Sequence, residues 1–501
     1  MHLSAPGDWL ARLSAPGMRR LLLALVATVA VGRVAVTVFE GPAHLFSEHR
    51  LMPVFLALEG RPVYPPPAEG PFYVPMYPPL SFLVYLPVAL SRDPVGVLRL
   101  GSAITAAAVF LPGLLFLWPP GRGRRDLAGS VLALTTLVAW VHLSPVLVSA
   151  LYVHADAPAL LLAGLGIWLL DRSLSRGSGP LLAAALVLCS LAPWAKQTFL
   201  PVVLLPVLAL FAAGSRRRGL LALSGTVALQ AIWAGLAGLA FGFRPLAFWL
   251  LEFPSRHPWI AAPWSALSTS NRILLSEGLP LLAVAVWGAV AASRREGSRA
   301  AWARTPWGLL LAAAVLLWPT SVLGYVKVGG APNAFTPTLY FLTCSCVLLL
   351  LEASRREEPP GPRPARSVLL LLAAVLAVQT GIEGILAFEK AHGKKWNSSV
   401  VLKSVRSDPG RFYFPWYPLS TYLASGRFVD CDLGISDRKL AGIAIPRSEI
   451  LARTPKELRY VICDATPCPT TLESFEVLRT SRSPQGSGDW TIHEVRRPVE
   501  P

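Results

Sequence analysis

Long apolar runs, separated by short polar segments, dominate the chain as far as residue 389. The runs lack the alternation of apolar and polar residues that marks the strands of a membrane barrel. Because hydrocarbon cannot satisfy exposed backbone groups, such runs predict membrane-spanning helices. Twelve candidate runs occur near residues 18–39, 79–92, 97–118, 129–150, 157–171, 180–195, 198–213, 219–241, 277–292, 306–323, 336–352 and 367–388.

The basic residues between these runs predict the orientation of the helices. Connections on one side of the membrane hold 19 Lys and Arg residues, and those on the other side hold 7. Basic residues near helix ends stay in the cytoplasm, so the first side, with the N-terminus, is cytoplasmic. The first run lacks an Ala-x-Ala cleavage site and is expected to be a retained helix. A multi-pass protein of the bacterial inner membrane is the predicted localisation.

The alternation of sides requires that residues 79–118 cross the membrane only once. Residues 79–92 are only about 14 long, so they are expected to form a half-inserted or interfacial helix. Residues 97–118 then make the crossing. The alternative is a break within residues 129–153, which would restore the same parity.

The character of the chain changes at residue 390. Residues 1–389 form the predicted transmembrane domain, with a first extracytoplasmic loop over 40–78, and residues 390–501 are polar throughout. Short β-like runs near 412–416, 459–463, 475–478 and 490–495 and a helical stretch near 446–452 predict a small α/β domain there. The fold class is therefore an all-α polytopic membrane protein of about 11–12 helices with a small C-terminal α/β extracytoplasmic domain.

Composition agrees with a membrane protein and excludes several other classes. Of the 501 residues only 15% are charged, whereas soluble domains carry about 25%. The net charge of +17 lies in short clusters between apolar runs, without a basic stripe and interleaved aromatics, so no nucleic-acid partner is expected. Six cysteines are too few for a disulfide scaffold, although Cys463 and Cys468 can pair with each other or with Cys431 outside the cytoplasm.

Polar residues outside the cytoplasmic clusters collect at the predicted outer ends of the helices. Charges at membrane depth are costly, and by default they are functional and face the bundle interior. Simpler roles remain open for single members: Asp156 as a helix N-cap and Lys196 as an interfacial charge. The loop residues Glu48, Glu59 and Glu69 are interpreted as solvated charges. The remaining members are Glu40, Arg50, Arg61, Tyr64, Tyr77, Arg99, Gln197, Lys327 and Asn333.

In their order along the chain, these segments resemble the polytopic GT-C superfamily of glycosyltransferases, which includes protein O-mannosyltransferases and the lipid A aminoarabinose transferase. The resemblance spans about residues 18–352. The first-loop motifs are Glu40-Gly41-Pro42, Gly60-Arg61-Pro62-Val63-Tyr64, Gly70-Pro71-Phe72, Tyr77-Pro78-Pro79-Leu80 and Arg99-Leu100. The later motifs are His154-Ala155-Asp156, Lys196-Gln197-Thr198 and the segment from Lys327 to Asn333.

The resemblance implies an enzyme that takes a sugar from a polyprenyl-phosphate carrier and inverts the anomeric carbon. The implied acceptor is a lipid, polysaccharide or protein on the outer side of the membrane. This chain departs from the family pattern after Asn333, because residues 334–338 lack the acidic residue that many relatives carry there. A role for a third carboxylate is therefore not expected.

The inventory of polar residues fits such a transfer. Displacing a lipid phosphate from an anomeric carbon needs a base for the acceptor proton and cations for the departing phosphate, which leaves without a general acid. One carboxylate suffices, whereas a glycoside hydrolase needs two. Glu40 and Asp156 are the predicted catalytic residues. The predicted substrate-binding residues are Arg61, Arg99, Lys196 and Lys327 for the phosphate, Tyr64 and Tyr77 for the sugar, and also Gln197 and Asn333.

No cofactor is predicted. Some relatives use a divalent metal, but a lone acid pair without a histidine partner does not support one here. The expected partners are the polyprenyl-phosphate sugar, the acceptor and membrane lipids.

The main alternative is a multi-pass transporter or lipid flippase for glycoconjugates. A transporter places its polar residues near the bilayer midplane on broken helices, often within a repeat. Here the charges lie at outer helix ends, and no internal repeat is apparent. A structural subunit anchored by the helices is a weaker alternative, because an anchor does not need twelve segments.

Overall fold

The computed structural model describes residues 16–40, 46–117, 127–296, 305–356, 364–393, 397–464, 468–485 and 488–497. Helices form most of the described chain up to Gly393, and the long non-helical stretch is residues 59–79. The α-helices are α1 (Pro16–Glu40), α2 (Ser47–Leu58), α3 (Leu80–Leu83), α4 (Pro94–Leu117), α5 (Leu127–Leu143), α6 (Asp156–Arg176), α7 (Gly179–Leu191), α8 (Leu205–Ala212), α9 (Arg216–Phe241), α10 (Phe243–Ala247), α11 (Phe253–Arg256), α12 (Pro263–Glu296), α13 (Pro306–Tyr325), α14 (Thr336–Arg356) and α15 (Pro364–Gly393).

Six helical segments of the described chain are long and apolar enough to cross a membrane: Pro94–Leu117, Asp156–Arg176, Arg216–Phe241, Pro306–Tyr325, Pro332–Ala353 and Leu371–Glu389. Shorter apolar helices cover Leu23–Phe39, Leu127–Leu143, Gly179–Trp194 and Gln197–Ala212. The helical membrane architecture predicted from hydropathy is confirmed.

Some predicted runs are broken where proline or short turns interrupt them. Residues 79–92 contain only the four-residue α3 and a 3₁₀ turn, Leu86–Leu90, which together are too short to cross about 30 Å of hydrocarbon. This break agrees with a segment that does not span, and the placement of residues 79–92 relative to the membrane stays a prediction. The run 129–150 ends its α-helix at Leu143, because Pro145 disfavours helical backbone at the preceding residue.

Helix α12 extends well beyond the predicted run 277–292. It begins at Pro263 and has 34 residues. Hydropathy predicts only the apolar part of this helix, because residues 263–276 contain Ser, Thr, Asn and Arg.

The C-terminal region (residues 397–497) is the predicted mixture of helices and strands. Its helices are α16 (Asn397–Ser407), α17 (Pro418–Ser425), α18 (Asp432–Leu440), α19 (Arg447–Arg453) and α20 (Pro469–Leu472), and its strands are β1 (Phe412–Tyr413), β2 (Tyr460–Cys463), β3 (Glu476–Gln485) and β4 (Gly488–Arg496). The sheet has the order β1-β2-β4-β3, with β1 parallel to β2 and the other pairs antiparallel. Cys463 pairs with Cys468, and Cys431 is a buried free thiol.

The first loop, described here from residue 46 to residue 78, packs against the C-terminal region. The carboxylate of Glu48 is only 3% exposed. It accepts hydrogen bonds from Ser398 Oγ at 2.5 Å, Ser420 Oγ at 2.6 Å and Ser420 N at 2.9 Å. The interpretation of Glu48 as a solvated charge is therefore wrong, because its partners come from a part of the chain some 350 residues later.

A buried arginine makes a second connection between the same two parts. Arg438 is 0% exposed, and its guanidinium lies 5.0 Å from the ring of Phe72 and 4.7 Å from that of Trp249. It donates hydrogen bonds of 2.8 Å to the carbonyls of Pro67 and Tyr73. The cation thus holds the backbone of the first loop directly.

The close approach also depends on a glycine and a carboxyl group. A Cβ added at Gly434 would lie 2.2 Å from the carbonyl oxygen of Phe72, so only glycine fits without movement. The backbone N–H of Phe72 donates to Asp430 Oδ1 at 2.8 Å. These contacts join the first loop to the C-terminal region, which covers the loop like a cap. We call the set made by Glu48, Phe72, Asp430 and Arg438 the loop–cap interface.

Replacing Asp430 by asparagine should change how stability depends on pH. Burial raises the pKa of Asp430 from 3.8 to about 7, so the folded state binds this proton more tightly than the unfolded state. Its contribution to the free energy of unfolding is greatest below about pH 4 and falls as the pH rises to about 7. We therefore expect Asp430→Asn to become more stable relative to the wild type over that range, as measured by thermal unfolding at each pH.

The comparison must be made between variant and wild type at each pH. Burial lowers the pKa of the neighbouring His49 to about 3, which acts on the total stability in the opposite direction. The difference between the two proteins cancels this contribution. A difference that is the same at pH 4 and pH 7 would contradict the prediction.

Candidate active site

The centre of the candidate site is a fully buried ion pair between two sequence motifs. Asp156, the first residue of α6, is 0% exposed, and its Oδ1 lies 2.5 Å from Nζ of Lys196. Lys196 is 5% exposed and has an extended backbone between two 3₁₀ turns, Ala192–Trp194 and Gln197–Leu204. This break in the apolar hairpin allows the ammonium to reach α6. Lys196 is therefore not an interfacial charge, and the side chain of Asp156 does not cap its helix.

His154 joins this ion pair to the first loop. Its Nδ1 lies 2.5 Å from Asp156 Oδ2. On the other side of the ring, Nε2 lies 3.0 Å from the hydroxyl of Tyr77 and 3.5 Å from Nδ2 of Asn333. The imidazole therefore contacts three side chains, those of Tyr77, Asp156 and Asn333. Lys196 joins the network through Asp156.

A small cavity, partly open to solvent, lies between the first loop and the segment before α6. Its polar lining consists of His49, Arg50, Tyr64, Tyr77, Ser81, Tyr85 and His154. Asp156 and Lys196 lie behind this lining. The cavity therefore presents an arginine, imidazoles and phenols to a ligand, with the ion pair directly beneath His154.

Arg50 is the arginine that lines this cavity. It lies on α2, and its Nη1 donates to the carbonyl of Val153 at 3.2 Å. Arg50 is one of the polar residues of the first loop, but it was not among the predicted substrate-binding residues. It follows Ser47, Glu48 and His49 at the polar start of α2, so the local sequence does not distinguish it from a solvated loop charge.

Two predicted binding residues support the cavity wall without joining the central network. The hydroxyl of Tyr64 donates to the carbonyl of Tyr77 at 2.8 Å. Gln197 Nε2 donates to the carbonyl of Met76 at 2.6 Å. Both contacts hold the backbone of residues 76–77, and they orient the Tyr77 ring, which packs edge-on against His154 with centroids 5.0 Å apart.

Two predicted phosphate-binding cations lie elsewhere. Arg61 is half-exposed, pairs with Glu59 at 3.2 Å and lies over the ring of Phe428. Lys327 Nζ donates to the carbonyls of Ser255 and His257 at 3.1 and 2.8 Å. The structure does not bring either cation to His154, and their binding roles stay predictions.

The remaining two predicted residues lie at the end of α1. Arg99 Nε donates to the carbonyl of Phe39 at 3.3 Å, one residue before the helix ends at Glu40. The side chain of Glu40 lies outside the described part of the structure, as do residues 41–45. The catalytic role of Glu40 stays a prediction.

The described residues do not fit a metal centre. Among them, no group of three or more His, Cys, Asp or Glu side chains is arranged to hold a metal ion. We therefore derive no step through a metal.

Comparison with known proteins identifies the fold. No family model matches the chain, and no curated protein is similar to it. Among solved structures, it is similar to ArnT from Cupriavidus metallidurans bound to undecaprenyl phosphate, with a TM-score of 0.56 and 12% identity over 96% of this chain and 98% of that chain. Arabinosyltransferase EmbB from Mycobacterium smegmatis has a TM-score of 0.40 and 15% identity over 91% of this chain and 42% of EmbB.

An identity of 12% over almost the whole of both chains is informative about fold and not about activity. The alignment with ArnT covers 96% of this chain, so the similarity extends over both the helical part and the C-terminal region. The chain is therefore a polytopic helical membrane protein with a fold similar to that of ArnT.

Proposed function

We propose that this protein is an integral membrane glycosyltransferase that transfers a sugar from a polyprenyl-phosphate donor to an acceptor at the extracytoplasmic face. The transfer inverts the anomeric carbon and depends on a carboxylate, Glu40 or Asp156, for removal of the acceptor proton. The proposed location is the inner membrane, with the N-terminus in the cytoplasm and the C-terminal region outside.

One observation carries the proposal: the cavity places a cation and a proton-accepting network side by side. Arg50 lines it, and His154, backed by Asp156, lies on the same wall. A departing lipid phosphate needs the cation, and the attacking hydroxyl needs the proton acceptor. ArnT, which has the same fold, was solved with a polyprenyl phosphate bound, and this supports a donor of that class.

Arginine suits the proposed phosphate contact. Its guanidinium is planar and presents five N–H donors, of which the contact with Val153 uses one. The polyprenyl chain can stay in lipid while only the sugar phosphate enters the cavity. Tyr64 and Tyr77 line the same space and offer aromatic faces for the sugar.

The test is transfer of radiolabelled sugar from a panel of polyprenyl-phosphate sugars by the full-length protein in lipid vesicles. We expect transfer by the wild type, and a loss of about 10²-fold in kcat/KM for Arg50→Met, because one charged contact to the leaving phosphate is removed. Arg256→Met is the matched control. Arg256 is exposed, pairs with Glu252 four residues earlier and lies outside the cavity lining, so its loss should leave transfer unchanged.

The same assay chooses between the two acids. Loss of transfer in Asp156→Asn but not in Glu40→Gln would show that the required carboxylate is Asp156, next to His154. The reverse result would show that it is Glu40, at the end of α1. Absence of transfer from every donor, with lipid or sugar translocation in the same vesicles, would overturn the proposal in favour of a transporter.

A further inference from the structure

We propose that His154, and not the carboxylate itself, receives the acceptor proton, through the hydroxyl of Tyr77, and that Asp156 acts by orienting the imidazole. This inference rests on the proposed function, because it assigns the base of that reaction. It changes the role of Asp156 from a base that touches substrate to a positioning residue.

Access is the first reason. Asp156 is 0% exposed, and both of its carboxylate oxygens are already engaged, Oδ1 by Lys196 and Oδ2 by His154, each at 2.5 Å. It does not belong to the cavity lining, whereas His154 and Tyr77 do. An acceptor hydroxyl in the cavity would therefore meet Tyr77 and His154 before it could reach the carboxylate.

The tautomer of His154 is the second reason. A carboxylate only accepts hydrogen bonds, so the approach of its Oδ2 to 2.5 Å from Nδ1 favours the tautomer with the proton on Nδ1. The backbone N–H of Asp156 is placed to donate to Nδ1 at 3.3 Å, which favours the other tautomer, and we give more weight to the shorter contact with the charged carboxylate. Nε2 then carries the lone pair, and the groups near it, the Tyr77 hydroxyl at 3.0 Å and the Asn333 amide at 3.5 Å, are both able to donate. This is the tautomer that a base needs on the side of the cavity.

The step balances without any further reactant. The acceptor oxygen forms a bond to the anomeric carbon as the bond from that carbon to the phosphate oxygen breaks, and the electron pair leaves with the phosphate. The acceptor proton passes to the Tyr77 oxygen while the Tyr77 proton passes to Nε2 of His154. The imidazolium that results is stabilised by Asp156, as in other carboxylate–histidine pairs, and then releases its proton to solvent.

Lys196 has a distinct part in this arrangement. Its ammonium contacts the carboxylate oxygen that His154 does not use. It balances the charge of Asp156 while the imidazole is neutral. The four side chains thus form a chain from Lys196 through Asp156 and His154 to Tyr77.

Kinetics of variants in the transfer assay test the relay. We expect His154→Gln to lower kcat by about 10²–10⁴-fold with little change in the KM for the donor, because a general base is removed. The acidic limb of the pH profile of kcat/KM should disappear in the same variant. Tyr77→Phe should lose a comparable factor, and the double variant should lose no more than the larger single effect, because the two residues act as a unit.

The matched control is His493→Asn, which removes a histidine on β4 that contacts Thr480. It should leave kcat and the pH profile unchanged. Thermal unfolding of each variant separates loss of catalysis from loss of structure. If His154→Gln does not fold, nitrogen-15 NMR of histidine-labelled wild type tests the proposal without a variant at that position, with resonances assigned through Asp156→Asn and His493→Asn.

The expected NMR result is a His154 ring with its proton on Nδ1 and an unprotonated Nε2. A proton on Nε2 would overturn the inference. So would full kcat in folded His154→Gln while the wild type transfers sugar, and in that case the proposed function would stand. A wild type that transfers no sugar from any donor would overturn the proposed function, and the inference with it.

Discussion

Replacing Lys196 by methionine should lower the free energy of unfolding by about 3–5 kcal/mol, because it leaves a buried carboxylate without its cation. Lys196 and Asp156 are both buried, and their charged atoms are 2.5 Å apart. Methionine keeps the apolar stem but removes the ammonium. The remaining partner of Asp156, His154, already uses the other carboxylate oxygen. Unfolding by heat and by denaturant in the same detergent would measure the effect.

Two comparisons isolate the cause. Asp156→Asn combined with Lys196→Met should recover a large part of the lost stability, because it removes the uncompensated charge. Lys439→Met removes a lysine from an exposed pair with Glu473 and should change stability by less than about 1 kcal/mol. Equal effects of Lys196→Met and Lys439→Met would show that burial of the Asp156 pair does not determine its contribution.

Replacing Arg438 by methionine should destabilise the loop–cap interface by about 3 kcal/mol or more. The guanidinium donates to the carbonyls of Pro67, Tyr73 and Gly434. Without it, buried carbonyls lose their donors at a cost of about 1–3 kcal/mol each. The contacts of the cation with two aromatic rings are lost as well.

The Arg438 variant should also weaken donor binding. The loop–cap interface holds the first loop, and the same loop carries Arg50 into the cavity. Arg438→Lys keeps the charge but not the planar fork, so an intermediate loss is expected. Arg411→Met is the control, since Arg411 is half-exposed and pairs with Asp408 at 3.5 Å. The measurements are the KM for the donor and protection from limited proteolysis within residues 59–78. Unchanged values of both in Arg438→Met would contradict the role assigned to Arg438.

Some of the predicted site residues lie close together in the folded structure. The sequence brought attention to Asp156, Lys196, Tyr77 and Asn333 because each is polar at the end of an apolar helix, and the structure places all four around His154. His154 itself was noted only as part of the His-Ala-Asp motif. A histidine next to an aspartate is common in any chain, and its role depends on which ring nitrogen faces the cavity, which sequence does not state.

Arg61 and Glu48 show the limit of reasoning from residue type. Both are charged residues of one loop, and neither hydropathy nor spacing distinguishes a cation that faces the cavity from one that packs on Phe428. Glu48 is buried by two serines of the C-terminal region, and no local pattern signals partners that far along the chain.

Hydropathy and charge alone determined the helical membrane class and the polar C-terminal region with its strands. These properties follow from backbone satisfaction in hydrocarbon and from local residue patterns, which a single chain displays without reference to its partners. The pairing of Asp156 with Lys196, the orientation of His154 and the burial of Arg438 and Glu48 depend on contacts between residues tens to hundreds of positions apart. Only the tertiary structure decides which of these charged groups are buried next to each other. Burial removes their hydration, so that each group requires a specific partner.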